Sequence, residues 1–558
     1  MTGTAAPDGS LLSSSAVMAA GTVVSRLSGF VRNALLVAAL GSGLRGDVFN
    51  IANTVPNMLY ILLAGGVFNA VLVPQLVRAQ RNDADGGDAY TSRIITAAGL
   101  FLAGASAVLV VAAPLLMRLF LDGSYFTSAC AAPREAVFAF ARYCLPQVFF
   151  YGMFVLVGQV LNARGSFGPM MWAPIANNVV AVAVLGTYLG LYGTQSAAGG
   201  TFSGTQELLL GLGSTIGIVV QLVVLVPALR AAGFRYRPRL DLRGTGLGHT
   251  LRLGVWTVLF VVVNQIAYTV VVRLASSGPA HAAGAAAQGC GSGHDATGYT
   301  VYSLAYLLVM VPHSVITVSL ATAALPRLAR SAADDDLPGV ARQAGSALRT
   351  TYVAMLPILA VVPVVAPDLV RLAYGYGATH DSVELYAPTV RLFALGLFFF
   401  TTHYLVLRGF YALEDNRRVF FIQCAVAATN VVAALLLVPG APPSQVAPRL
   451  VIAYTLSYLV GALVSVSQLR RRLGGLDGRR MLRFAVRLGL ATLVATAASW
   501  AVLHGLTAAL PGSGKAEVVL RLVVTGSVQV LLVGVLALRM RVEEVGDVVQ
   551  MVRGRLGR

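Results

Sequence analysis

The chain has 558 residues, of which 57% are hydrophobic and only 11% charged, and its mean hydropathy is +0.75. Those values exclude a soluble protein and belong to a polytopic membrane protein. A formal net charge of +18 would suggest nucleic acid in a soluble chain, but here the arginines fall in alternate loops between apolar runs, and no nucleic-acid partner is expected.

Apolar runs long enough to cross a hydrocarbon core of ~30 Å recur through almost the whole length. Each is read as a helix, because a helix satisfies its own backbone hydrogen bonds in lipid. Spans 1 to 6 are placed at residues 13–40, 47–80, 90–121, 134–162, 168–192 and 207–231. Spans 7 to 12 lie at 249–275, 299–331, 341–374, 384–413, 417–438 and 447–470, and spans 13 and 14 at 481–508 and 517–540. Residues 1–12 carry neither a basic n-region nor a cleavage site, so span 1 is expected to stay in the mature protein. No stretch outside the spans is large enough to host separate chemistry.

The loops after even-numbered spans carry the arginines: Arg78, Arg81 and Arg93 after span 2, Arg235, Arg237 and Arg239 after span 6, Arg470, Arg471, Arg472, Arg479 and Arg480 after span 12. Residues 276–298 contain no arginine or lysine. The positive-inside rule therefore places both termini in the cytoplasm. Cys130, Cys144, Cys290 and Cys424 show no metal-ligand spacing, and neither a metal nor a cofactor is expected. Cys130 and Cys290 fall in loops placed outside, where a disulfide is permitted; two unrelated thiols fit the sequence equally well.

Span 2 ends "AVLVPQLVRAQ" (70–80) and span 8 contains "TAALPRLARSA" (322–332), two copies of small, apolar, apolar, Pro, x, Leu, x, Arg. Six spans separate them, an even number, so the copies share one orientation and the repeat is parallel. The expected organisation is an N-terminal lobe at 1–240, a C-terminal lobe at 241–475, and spans 13 and 14 with a cytoplasmic tail at 476–558. The fold class is thus all-α, about fourteen transmembrane helices in two six-helix lobes plus two. Facing parallel repeats are a transporter architecture working by alternating access. Pro56, Pro74, Pro312 and Pro326 in spans 2 and 8 each remove a backbone donor and mark Pro56 and Pro312, with Gly29 in span 1, as candidate hinges or gates.

Within span 1, "SRLSGFVRNALL" (25–36) places Arg26 and Arg32 in an otherwise apolar run. An arginine at mid-membrane costs at least ~2.5 kcal/mol on insertion scales. The pair differs by six residues, hence ~9 Å along the axis and ~120° around it, suited to one wide cavity. A guanidinium fork matches phosphate oxygens, so an anion, foremost a phosphate, is the expected ligand. In span 2, Asp47, Asn50, Asn53 and Asn57 fall within about a third of the circumference at ~100° per residue, a polar stripe that reads as a cavity wall or as interhelical glue. Asn162, Asn177, Asn178, Asn264, Gln265, His313, His403 and Asn430 read as satisfied core residues, and Arg273 as snorkelling outward.

"SRLSGFVRNALL", "GDVFNIANTVPNML", "AGGVFNAVLVPQL", "ATAALPRLARSA" and "LRGFYALEDNRR" resemble the signature segments of the MurJ (MviN) lipid II flippases, members of a superfamily that also holds multidrug and polysaccharide-lipid exporters. The resemblance runs in order along spans 1 to 12. It implies a flippase of the bacterial plasma membrane that moves lipid II, the undecaprenyl-pyrophosphate-linked disaccharide pentapeptide, to the outer leaflet. Its implied surroundings are membrane lipids and the cell-wall synthesis machinery. It also implies that Arg26, Arg32 and Asp47 surround a cationic cavity, and that spans 13 and 14 form a groove for the lipid tail. The chain departs from the family pattern at Asn33, Tyr60, Ile61 and Gly65, in the uncharged "SLAYLLVMVP" of span 8, and around Asn430, where a sodium-site acid has no counterpart. Arg273 is the residue that could replace a missing family arginine. An exporter of another lipid-linked glycan or of drugs, and a cell-wall scaffold without transport, remain alternatives; no nucleophile and base pair suggests an enzyme.

Overall fold

The computed structural model describes residues 8–62, 85–194, 201–241, 247–281 and 295–546, with Leu76, Ala79 and Cys290. Among these residues there is no strand, and thirteen helical stretches are long and apolar enough to cross a membrane. The first is α1 (Asp8–Leu40). The remaining predicted span, span 2, is described as α2 (Leu44–Ile61), where Arg45, Asp47 and three asparagines lower the hydropathy. The rest of span 2, with Pro74 and the first copy of the repeat, lies outside the described residues apart from Leu76 and Ala79.

Several spans are broken where proline removes a donor. Span 3 is α3 (Asp88–Val111) and α4 (Ala113–Phe120), with proline in the first turn of α4. Span 4 is α5 (Ala131–Cys144) and α6 (Gln147–Ala163), separated at Pro146. Span 5 is α7 (Gly168–Tyr192), and span 6 is α8 (Gly204–Val223) with α9 (Leu225–Ala231). A capping box starts α8: the Gln206 amide donates to Ser203 Oγ while the Gln206 side chain accepts from the Ser203 amide. Span 7 is α10 (Leu247–His281). Span 8 is α11 (Tyr299–Pro312), one π turn at His313–Thr317, and α12 (Val318–Ala333). Then come α13 (Leu337–Tyr374), α14 (Tyr386–Ala412), α15 (Asn416–Leu437), α16 (Val446–Arg472), α17 (Gly478–Ala509) and α18 (Lys515–Arg539).

Packing divides the chain into one unit of residues 1–294 with 376–379, and a second of 295–375 with 380–558. In the first, α1 lies along α7 with Gly21 under Trp172, where a Cβ would stand 2.8 Å from the indole Nε1. Span 7 packs with this unit, where the repeat motif leads to the expectation of a place with spans 8 to 12. Its ties are specific: Gln265 Nε2 donates to the Met58 carbonyl at 3.2 Å, Arg273 Nη1 donates to the Arg118 carbonyl at 3.2 Å, and Cys290 just beyond α10 is disulfide-bonded to Cys130.

In the second unit α17 and α18 pair with each other and pack on α13. Two buried ion pairs hold them. Arg521 of α18 forks onto Asp368 of α13 (Nε to Oδ2 2.9 Å, Nη2 to Oδ1 2.8 Å), and Arg349 Nε donates to Glu544 at 2.5 Å. α17 also exposes Leu493 and Trp500, as a lipid-facing surface allows, since hydrocarbon needs no polar cover, while Val523 and Leu531 of α18 line an open groove with Pro357 and Val361 of α13.

Candidate functional site

The polar residues of spans 1 and 2 lie within the first unit. Asn178 of α7 donates through Nδ2 to the Ser25 carbonyl (3.0 Å) and to Ser28 Oγ (2.9 Å), which fixes the rotation of α1. With that face committed to α7, Arg26 is exposed and Arg32 half-buried. Arg32 Nη2 donates to Asn33 Oδ1 at 3.4 Å, and its electrostatic neighbour is Tyr151 of α6. The Tyr60 ring of α2 stands 4.7 Å from the Tyr151 ring, centroid to centroid. Arg32 thus lies within electrostatic range of Tyr151, whose ring packs on Tyr60, chemistry suited to orienting an anion: a guanidinium fork for charge and phenol hydroxyls as further donors. Tyr151 carried no sequence signal, because it comes from a span more than a hundred residues away.

The stripe on α2 is divided by the fold. Asp47 is fully buried and is the electrostatic neighbour of buried Tyr125, rather than a member of an open wall. Asn50 is half-buried, its carbonyl accepting from Thr54 Oγ1 at 2.8 Å. Asn53 Oδ1 accepts from Gln147 Nε2 (3.2 Å), which also donates to Thr215 (3.3 Å), while Thr215 donates to the Tyr143 carbonyl at 2.6 Å. That chain ties α2, α5, α6 and α8 together, so Asn53 acts as interhelical glue. Asn57 is exposed. Gly65 lies outside the described residues.

Of the hinge candidates, Gly29 is loosely packed: a Cβ there would meet Asn178 at 3.5 Å, an ordinary contact, so the tight approach of α1 to α7 falls at Gly21 instead. Pro56 lies inside an unbroken part of α2. Pro312 directly precedes the π turn at His313–Thr317; its missing N–H leaves a carbonyl one turn earlier without a helical donor, and the extra residue of a π turn re-phases the helix beyond it. His313 Nδ1 and Thr401 Oγ1 are hydrogen-bonded at 3.0 Å, and His403 Nδ1 contacts Gly461 O and Ser465 Oγ at 3.2 and 3.3 Å. Among the described residues no three His, Cys, Asp or Glu side chains converge as a metal site.

Thirteen membrane-length helices among the described residues, with breaks at intramembrane prolines such as Pro146 and Pro312, define a multi-pass integral membrane protein of transporter architecture. The sequence profile of the family described as lipid II flippase MurJ matches residues 36–516, and the chain belongs to that family. Among its relatives, the probable lipid II flippase MurJ of Rhizobium meliloti is 27% identical over 454 residues, covering 80% of this chain and 78% of the relative. That of Haemophilus influenzae is 25% identical over 435 residues, covering 75% and 79%. A solved structure described as lipid II flippase MurJ in an inward closed conformation shares the fold, with TM-score 0.68, 16% identity, and coverage of 93% of this chain and 98% of that one. An inward-facing multidrug-resistance MATE transporter is similar at TM-score 0.57 and 14% identity, over 81% and 95% of the two chains.

Proposed function

We propose that this chain moves lipid II from the inner to the outer leaflet of the bacterial plasma membrane by alternating access, with both termini in the cytoplasm. The observation that carries the proposal is membership of the flippase family across residues 36–516. Arg26 and Arg32 take the pyrophosphate: Arg32, beside Tyr151 and Tyr60, provides an oriented fork, and exposed Arg26 provides charge along the entry path. Asn50 and Asn57 contribute polar wall, and Asn53 and Asp47 position α2 from behind. Gly29, Pro56 and Pro312 are the points at which spans 1, 2 and 8 bend as the repeat lobes, 1–240 and 241–475, exchange access. The cell-wall synthesis machinery consumes the delivered precursor. Cationic drugs do not suit a site whose charges are arginines.

The test is replacement of the resident flippase in a depletable strain, scoring growth and lipid II exposed on the outer leaflet. Wild-type chain should restore both. Arg26→Ala and Arg32→Ala should insert normally, since removing a charge lowers the insertion cost, and should fail to expose lipid II. Normal exposure from both stably produced variants refutes the site; growth without exposure refutes the activity.

A further inference from the structure

A cavity of about 1180 Å³ opens between α3, α6 and α8–α9, beneath the segment that follows span 6. That segment, Gly233 to Asp241, is an extended strap laid along the first turns of α3. Phe234 at its start is buried, with the Arg164 guanidinium 5.0 Å from its ring. Tyr236 and Thr96 share a hydroxyl hydrogen bond at 2.9 Å, the Arg239 amide donates to Thr96 Oγ1 at 3.2 Å, and Arg93 is ion-paired with Asp241 at 2.6 Å.

The cavity has two chemical halves. Leu100, Met153, Val157 and Leu222 make an apolar wall, and Arg230 and Arg235 stand at the strap end. The arginines around it are not alike. Arg93 is paired with Asp241 and Arg164 with Asp88, while Arg239 acts on Asp85 and Asp241. The hydrogen bond from Arg93 holds the Asp241 carboxyl below its ordinary range, and the Ala89 amide does the same for Asp85, so both acids are committed as anions. No acid lines the cavity among the described residues.

Depth identifies the occupant. With a rise of ~1.5 Å per residue, Thr96 and Leu100 lie about 12 and 18 Å along α3 from its start at Asp88, roughly one leaflet of a core ~30 Å thick. The volume exceeds the ~300–1,000 Å³ usual for small-molecule pockets. Leu100 and Leu240 are 58% and 75% exposed, so the cavity is open on its apolar side, toward lipid. We propose that this cavity binds an anionic glycerophospholipid of the cytoplasmic leaflet, its phosphate on Arg230 and Arg235 and its acyl chains against Leu100, Met153, Val157 and Leu222. The site rests on the cytoplasmic placement of both termini but not on the transport activity.

The test is native mass spectrometry of the full chain in neutral detergent, titrated with phosphatidylglycerol or phosphatidylcholine. Phosphatidylglycerol should bind as a single tight adduct at least about tenfold more strongly than phosphatidylcholine, as charge-assisted bonds to two guanidinium groups require. Arg230→Gln/Arg235→Gln should abolish that preference, and the exposed single variant Arg235→Gln should reduce it in case the double variant folds poorly. Gly99→Leu, whose new side chain points toward Met153 across the cavity with room at its Cβ (3.8 Å to Sδ), should weaken both lipids. Arg471→Gln/Arg472→Gln, an equal charge loss at exposed positions, should change neither. Equal binding of the two lipids by wild type overturns the proposal, as does an undiminished preference in the arginine variants. Displacement of phosphatidylglycerol by equimolar undecaprenyl phosphate also overturns it, since the cavity would then belong to the polyprenyl carrier.

Discussion

Replacing Arg521 by methionine removes the fork that holds α18 to α13. Arg521 is 2% exposed and Asp368 5% exposed, and the guanidinium makes four bonds, two to the carboxylate at 2.8 and 2.9 Å and two to the Leu510 and Gly512 carbonyls at 3.0 Å each. Methionine keeps most of the packing volume but leaves a buried carboxylate with its fork gone. Breaking a buried pair from one side costs about 3–5 kcal/mol, against about 0–1 kcal/mol for an exposed pair such as Arg480–Glu543. The thermal midpoint of the purified protein should therefore fall sharply for Arg521→Met and barely for Arg480→Gln. Arg521→Met/Asp368→Leu removes both charges, and replacement of a whole buried pair by apolar residues is often neutral or stabilising; its midpoint should return most of the way. A single variant indistinguishable from wild type would contradict this account of the pair, and so would a double variant less stable than the single one.

Arg32→Lys keeps the charge without the planar fork, so lipid II exposure should be intermediate if attraction dominates and as low as in Arg32→Ala if geometry does; full exposure would leave Tyr151 and Tyr60 no orienting role. Cys130→Ser frees Cys290 from its disulfide, so an impermeant maleimide should label Cys290 in intact cells. Labelling only after permeabilisation would reverse the proposed orientation. Pro312→Ala returns a donor to the turn before His313–Thr317 and should raise the thermal midpoint while slowing flipping. A raised midpoint with unchanged flipping would make the break incidental to transport.

Much of the architecture was legible in the sequence because the bilayer imposes local rules. A span must be apolar for about 20 residues and a helix must close its own hydrogen bonds, so the helical class and the approximate bounds of the thirteen described spans follow from composition along the chain. Arg26 and Arg32 stood out for the same reason, as charges where hydrocarbon penalises them. The α2 stripe was legible as a polar face, but not its division: Asp47 turned to Tyr125, Asn53 to Gln147, and Asn57 to the exposed side.

Pairings between distant segments were decided by the folded chain, although loop charge places Cys130 and Cys290 on one side and so permits their disulfide without selecting it. The disulfide joins cysteines 160 residues apart, and Arg521 meets Asp368 across 153 residues; in sequence each is one polar residue near the end of an apolar run. The repeat motif leads to the expectation that span 7 joins the second lobe, while it packs with the first unit; a short motif carries the order of segments but not which faces they cover. Tyr151 stands beside Arg32 only because α6 is rotated that way in the bundle. Periodicity places a side chain on a face of its own helix; which neighbour covers that face depends on helix–helix packing, hydrogen bonding and shape summed over the whole molecule, and no local window of residues contains that information.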